Sequence, residues 1–157
     1  MVENCPKLIS LLTPSTVVQL RKIKIENCER MTEIVANQGS EAEVGDEIAF
    51  ANLIYLGLKN LPSLTAFHLG NRTIKFPSLD QVMVENCPKL KIFYSGVLST
   101  PKLTWVWIEG NLRVKKEGDG DGDLNATIKE YWEAKLEICD QKFAEKVSYQ
   151  VIEVIKK

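Results

Sequence analysis

Long apolar runs are missing from this chain. None approaches the roughly 18–20 residues needed to span a bilayer, so a transmembrane helix is not expected. The N-terminus lacks a basic region followed by an apolar core and a small-residue cleavage site, which argues against secretion and favours a cytoplasmic protein. An excess of either charge is missing as well: 20 basic and 21 acidic residues are interspersed and sum to a net charge of −1. That balance argues against nucleic acid or an anionic membrane as the main ligand. Histidine is represented by His68 alone and no CxxC pair occurs, so the spacing of a metal site is absent. There is no GxxxxGK phosphate loop, and the glycine-rich run from Gly118 to Asp123 alternates with aspartates that would repel phosphate. No nucleophile and base are placed to converge, so neither catalysis nor a cofactor is expected.

What the chain has is a repeat. Leu79 to Phe93 can be written Leu79-x-x-Val82-x-Val84-x-x-Cys87-x-x-Leu90, the template of a leucine-rich repeat, in which aliphatic residues point inward and an Asn or Cys closes the turn. The octapeptide MVENCPKL at Met83–Leu90 is spelled identically at Met1–Leu8. Sliding the template along the chain puts the closing position at Cys5, Cys28, Leu61, Cys87 and Asn111, with gaps of 23, 33, 26 and 24 residues. Three gaps suit a period of roughly 20–29 residues and the long one requires an insertion. Residues 35–49, acidic and without an apolar period, are read as that insertion, a loop on the exterior. The chain opens in mid-repeat, as a piece of a longer protein would.

Period-two alternation places short parallel strands near Ile23–Ile25, Leu56–Leu58, Val82–Val84 and Trp105–Ile108. The fold expected is an α/β leucine-rich-repeat solenoid of about four and a half coils, over residues 1–117. An acidic linker and an amphipathic helix follow over residues 118–157. Phe50, Phe67, Phe76 and Phe93 recur at matched offsets from the leucines and are assigned to the core. Cys5, Cys28 and Cys87 share one slot and are read as buried thiols rather than disulfides. The residues between the inward aliphatics form the candidate protein-binding face, concave and graded from basic to aromatic. It comprises Lys22, Lys24 and Glu26; Tyr55, Gly57 and Lys59; Gln81, Met83 and Glu85; and Trp105, Trp107 and Glu109. Trp105 and Trp107 are the expected anchors, since exposed aromatics on a sheet invite a partner. The competing expectation is that the C-terminal helix folds back over one or both indoles.

That helix is read from Ile128, Trp132, Leu136, Cys139, Phe143, Val147, Val151 and Val154, which recur every three or four residues. Thr127-Ile128-Lys129-Glu130 offers a capping box, with Asp123 or Asn125 as alternatives. With no further strand to pair, the helix is expected to lie across the last coil. Asp119, Asp121, Asp123 and Glu130 occupy calcium-ligand places of an EF-hand loop. Its turn glycine is replaced by Leu124 and no incoming helix precedes it, so no metal is expected. The sequons at Asn71 and Asn125 carry no weight without secretion.

VENCPKLKIF with GVLSTPKL, FANLIYLGLKNLPSLTAF, IKFPSL and DLNATIKEYW resemble the C-terminal leucine-rich region of plant coiled-coil-type nucleotide-binding disease resistance proteins, over roughly residues 1–133. The resemblance implies a region of a cytoplasmic immune receptor that recognises a pathogen effector or a modified host protein and restrains an upstream nucleotide-binding domain. The alternative is a stand-alone leucine-rich adaptor or scaffold with no immune switch.

Overall fold

The computed structural model describes residues 1–12, 19–37, 47–114 and 124–155. Its strands, in chain order, are β1 (Val2–Glu3), β2 (Lys22–Glu26), β3 (Glu33–Val35), β4 (Glu47–Ala49), β5 (Tyr55–Lys59), β6 (Ala66–His68), β7 (Thr73–Lys75), β8 (Gln81–Glu85), β9 (Leu98–Ser99), β10 (Trp105–Ile108) and β11 (Asn111–Val114). One helix follows, α1 (Leu124–Ile155).

Each repeat contributes one strand to a single sheet, in the order β1-β2-β5-β8-β10-β11, and all the pairings before β11 are parallel. The expected strands are all present, each within a residue or two of its expected bounds. Alternation explains their register. Ile23, Leu56, Val82 and Val106 align across the sheet, as do Ile25, Leu58, Val84 and Ile108, and every one of them is buried. A one-residue slip would turn both columns out to solvent.

Two smaller parallel sheets, β3-β6 and β4-β7-β9, close the coils on their other sides. The sequence did not announce them, because a three-residue strand such as Thr73-Ile74-Lys75 has one buried residue and therefore no period. They correct the reading of residues 35–49 as exterior loop. Val35 is fully buried in β3, and Ile48 is buried in β4 between two exposed neighbours. Glu47 forms an ion pair of 2.6 Å with Lys75 of β7. Residues 38–46 lie outside the described residues.

The four core phenylalanines meet between the sheets as expected. Phe50 stacks on Phe76 at 4.7 Å and Phe67 on Phe93 at 4.9 Å, while edge contacts of 5.4 Å join the two stacks through Phe50–Phe67 and Phe67–Phe76. Offset and edge-to-face contacts of this kind add to the area each ring buries.

At the ends of β1, β2, β5 and β8 the chain turns through an asparagine in the left-handed region. Asn4, Asn27, Asn60 and Asn86 have φ of 55°, 56°, 52° and 51°. Asn is one of the few side chains that visits this region readily. The Asn60 amide donates to Asn27 Oδ1 at 2.7 Å and the Asn86 amide to Asn60 Oδ1 at 3.0 Å, so the turns are tied into a ladder. The next residue points inward. Cys28 and Cys87 are fully buried and Cys5 half-buried, and each Sγ donates to the carbonyl two residues back at 3.4 Å.

The last coil departs from expectation. Asn111 does not close a fifth turn; it opens β11, which pairs antiparallel with β10. Glu109 (φ 50°) and Gly110 (φ 76°) stand where one asparagine stood before, and two successive left-handed residues make a tight hairpin turn.

Helix α1 begins at Leu124, so the Thr127 box lies inside it and is not its cap; Asp123 lies outside the described residues. Asn125 is not a cap either, because its amide clasps the backbone of Tyr94, accepting from the nitrogen at 2.9 Å and donating to the carbonyl. Leu124 and Ile128 are buried in the common core, and Trp132 Nε1 donates to Leu90 O at 2.9 Å under the ammonium of Lys91. Further along, Leu136 of the expected apolar stripe is 64% exposed, and the side chains of Cys139, Phe143, Val147, Val151 and Val154 lie outside the described residues.

Two outcomes test this account. Asn60→Ala is expected to lower unfolding free energy by about 2–3 kcal/mol, from left-handed strain plus two lost hydrogen bonds, and Asn60→Gly by roughly half as much. Equal losses in urea titrations would show that backbone strain plays no part. Burial pushes the Cys87 thiol up to about 11, above the ordinary thiol range. Iodoacetamide at pH 8 should therefore leave Cys87 unmodified until denaturant is added. Because the folded-state value is the raised one, the associated stability is present at neutral pH and declines as pH rises towards 11.

Candidate protein-recognition face

The strand registers place the candidate residues in rows across the front sheet. Lys22, Tyr55, Gln81 and Trp105 stand side by side in the first, and Lys24, Gly57, Met83 and Trp107 in the second. Glu26, Lys59 and Glu85 form the third, with Glu109 immediately after β10. Eleven of the twelve are exposed or half-buried, and Gly57 is buried.

Gly57 is covered by its own neighbour. The Tyr55 ring lies across it so closely that a Cβ there would come within 2.8 Å of the Tyr55 oxygen. This lets the phenol reach the next strand, where its hydroxyl meets Met83 Sδ at 3.7 Å. A glycine in a strand is explained here by close approach of a side chain.

Charge on the face is more evenly balanced than a basic-to-aromatic gradient implies. Lys24 pairs with Glu26 at 2.8 Å and Lys59 with Glu85 at 3.1 Å. The hydrogen bond that Lys24 donates to Glu26, together with the Glu26 charge, raises the Lys24 pKa. Exposed pairs of this kind contribute little to stability, and their effect is to quiet the local field. Glu109 is also engaged, its carboxylate accepting the Asn86 backbone N–H at 2.7 Å. Lys22 remains exposed at the basic end.

At the aromatic end Trp105 and Trp107 are each 37% exposed, so α1 does not bury them. Sequence reasoning missed the neighbour that prolongs this patch. Leu112 of β11, 39% exposed, is paired with Trp107, and Met83 flanks that indole on the other side. The signal was available in Glu109-Gly110-Asn111, a turn sequence between two alternating segments.

Among the described residues no group of three or more His, Cys, Asp or Glu could hold a metal ion. Of the EF-hand candidates, Glu130 lies on α1, exposed, and Asp119, Asp121 and Asp123 lie outside the described residues. No described helix is long and apolar enough to cross a membrane.

Parallel strands stacked one per repeat, inward aliphatics at leucine-rich spacing and a left-handed turn after each strand define a leucine-rich-repeat region. Residues 1–108 match the family described as plant disease resistance protein RPS2-like, leucine-rich repeats, and the chain belongs to that family. No match was found among curated proteins or among solved structures.

Gly57→Ala tests the way this face is built. The new methyl should displace the Tyr55 ring from Met83 at a cost of about 1 kcal/mol, because the ring can swing towards solvent. Loss of nuclear Overhauser contacts between Tyr55 and the Met83 methyl is the expected sign; their persistence would contradict it.

Proposed function

We propose that this chain is the protein-recognition region of an intracellular plant immune receptor. In this reading it is a leucine-rich solenoid whose concave strand face meets a pathogen effector or a modified host protein. Within the longer receptor the same region restrains an upstream nucleotide-binding domain. Membership of the disease resistance family supports a recognition role, and leucine-rich regions of such proteins work by binding protein rather than by catalysis.

The observation that carries the choice of face is the exposure of Trp105 and Trp107 side by side on a rigid strand. Indoles held on a regular element offer large contact area with little entropy left to lose, which is why tryptophan recurs at the centres of interfaces. Met83 and Leu112 extend the apolar centre, and the Lys59–Glu85 pair supplies a polar rim.

Trp105→Ala and Trp107→Ala are expected to weaken binding of a partner captured by proximity labelling in plant tissue by about 2 kcal/mol, roughly thirtyfold. The thermal midpoint should scarcely move. If both variants unfold, the indoles serve the core and the assignment of the face is wrong. A phosphate-loop sequence upstream in the same reading frame is the expected companion of a receptor, whereas a partner bound by a protein without one marks an adaptor.

A further inference from the structure

Outside the front face, the first two repeats bring a pair of thiols together. The β1–β2 ladder aligns Val2 with Ile25 and Glu3 with Glu26, and continues with the Asn4 N–H donating to Glu26 O at 3.1 Å. Cys5 thus stands opposite Cys28. Both thiols are turned the same way, each donating to the carbonyl two residues back. Adjacent strands lie about 4.8 Å apart, inside the roughly 4.4–6.8 Å Cα separation that disulfides bridge. In the rest of the column Leu61 separates Cys28 from Cys87, so the thiols of this slot offer no second adjacent pair.

We propose that Cys5 and Cys28 are a thiol–disulfide site, bridging the first two coils when the chain meets a peroxide. The two thiols differ in access, Cys5 being half-buried and Cys28 fully buried. The oxidant therefore acts on Cys5. Its thiolate attacks one peroxide oxygen, giving a sulfenic acid and releasing the other oxygen as water. The Cys28 thiolate then attacks the Cys5 sulfur, the S–O bond breaks and a second water leaves. Two thiols have lost two electrons and two protons to one peroxide. Burial pushes the Cys28 thiol up, and the neighbouring Cys5 thiol adds to the rise while the Cys5 backbone offsets part of it. Resolution by Cys28 is accordingly the slower step, and it quickens as pH rises.

The test treats the full chain with hydrogen peroxide, blocks remaining thiols and digests with trypsin without reductant. The expected product is a peptide joining Met1–Lys7 to Ile25–Arg30, two hydrogens lighter than its parts and released by dithiothreitol. Its rate of formation should increase between pH 7 and pH 9. Cys5→Ser, at the half-buried position, should abolish it, and Cys139→Ser should leave it unchanged. Recovery of Cys5 and Cys28 as separately blocked thiols, or of Cys5 only as sulfinic or sulfonic acid, would overturn the proposal, as would a bridge from Cys5 to Cys139.

Discussion

A left-handed turn at the end of each parallel front strand is the constraint on which the other features rest. A strand in a stacked coil must bend sharply inward after its last outward residue, and the conformation that does this costs most side chains about 1–2 kcal/mol. Asparagine reduces that cost at Asn4, Asn27, Asn60 and Asn86. The bonds from Asn60 to Asn27 and from Asn86 to Asn60 then make each turn the template of the next. Identical turns give identical registers, which align the aliphatic columns and carry Cys28, Leu61 and Cys87 into the core.

The same turn accounts for how the parallel series ends. Glu109 keeps the left-handed conformation but carries no amide to donate, so it accepts the Asn86 N–H instead of extending the ladder. Gly110 then adds a second left-handed residue, and the chain reverses where earlier coils turned inward. One substitution and one glycine convert a coil into a hairpin. The phenylalanine stacks end with the coils, and Tyr94, Leu124 and Ile128 belong to the same buried core.

The front sheet was legible in the sequence because its inner strands are four or five residues long and alternate, and because the leucine spacing repeats often enough to fix the phase. The aromatic core was legible for the same reason, as Phe50 and Phe76 keep one offset and Phe67 and Phe93 another. What escaped has no local period. Strands β4 and β7 each bury one isoleucine between exposed or half-buried neighbours, and in the sequence β4 follows an acidic segment that masks it. The Asn ladder was visible as the residue before each closing position, yet attention to the buried slot hid the polar one beside it. Balanced charge on the face escaped too, because Lys59 and Glu85 lie 26 positions apart and meet only through strand pairing.

The way the last coil is covered explains why the indoles stay outside. A repeat end exposes both a sheet edge and an apolar coil interior, and one helix folded over both would also shade the outermost front strand. This chain divides the work. Strand β11 satisfies the edge by continuing the sheet, which widens the front face and places Leu112 beside Trp107. Helix α1 covers the interior, and its polar anchors fall on the backbones of Leu90 and Tyr94, beyond the turn that follows β8. Neither cap needs Trp105 or Trp107, so both indoles remain available to a partner at no cost to the closure of the core.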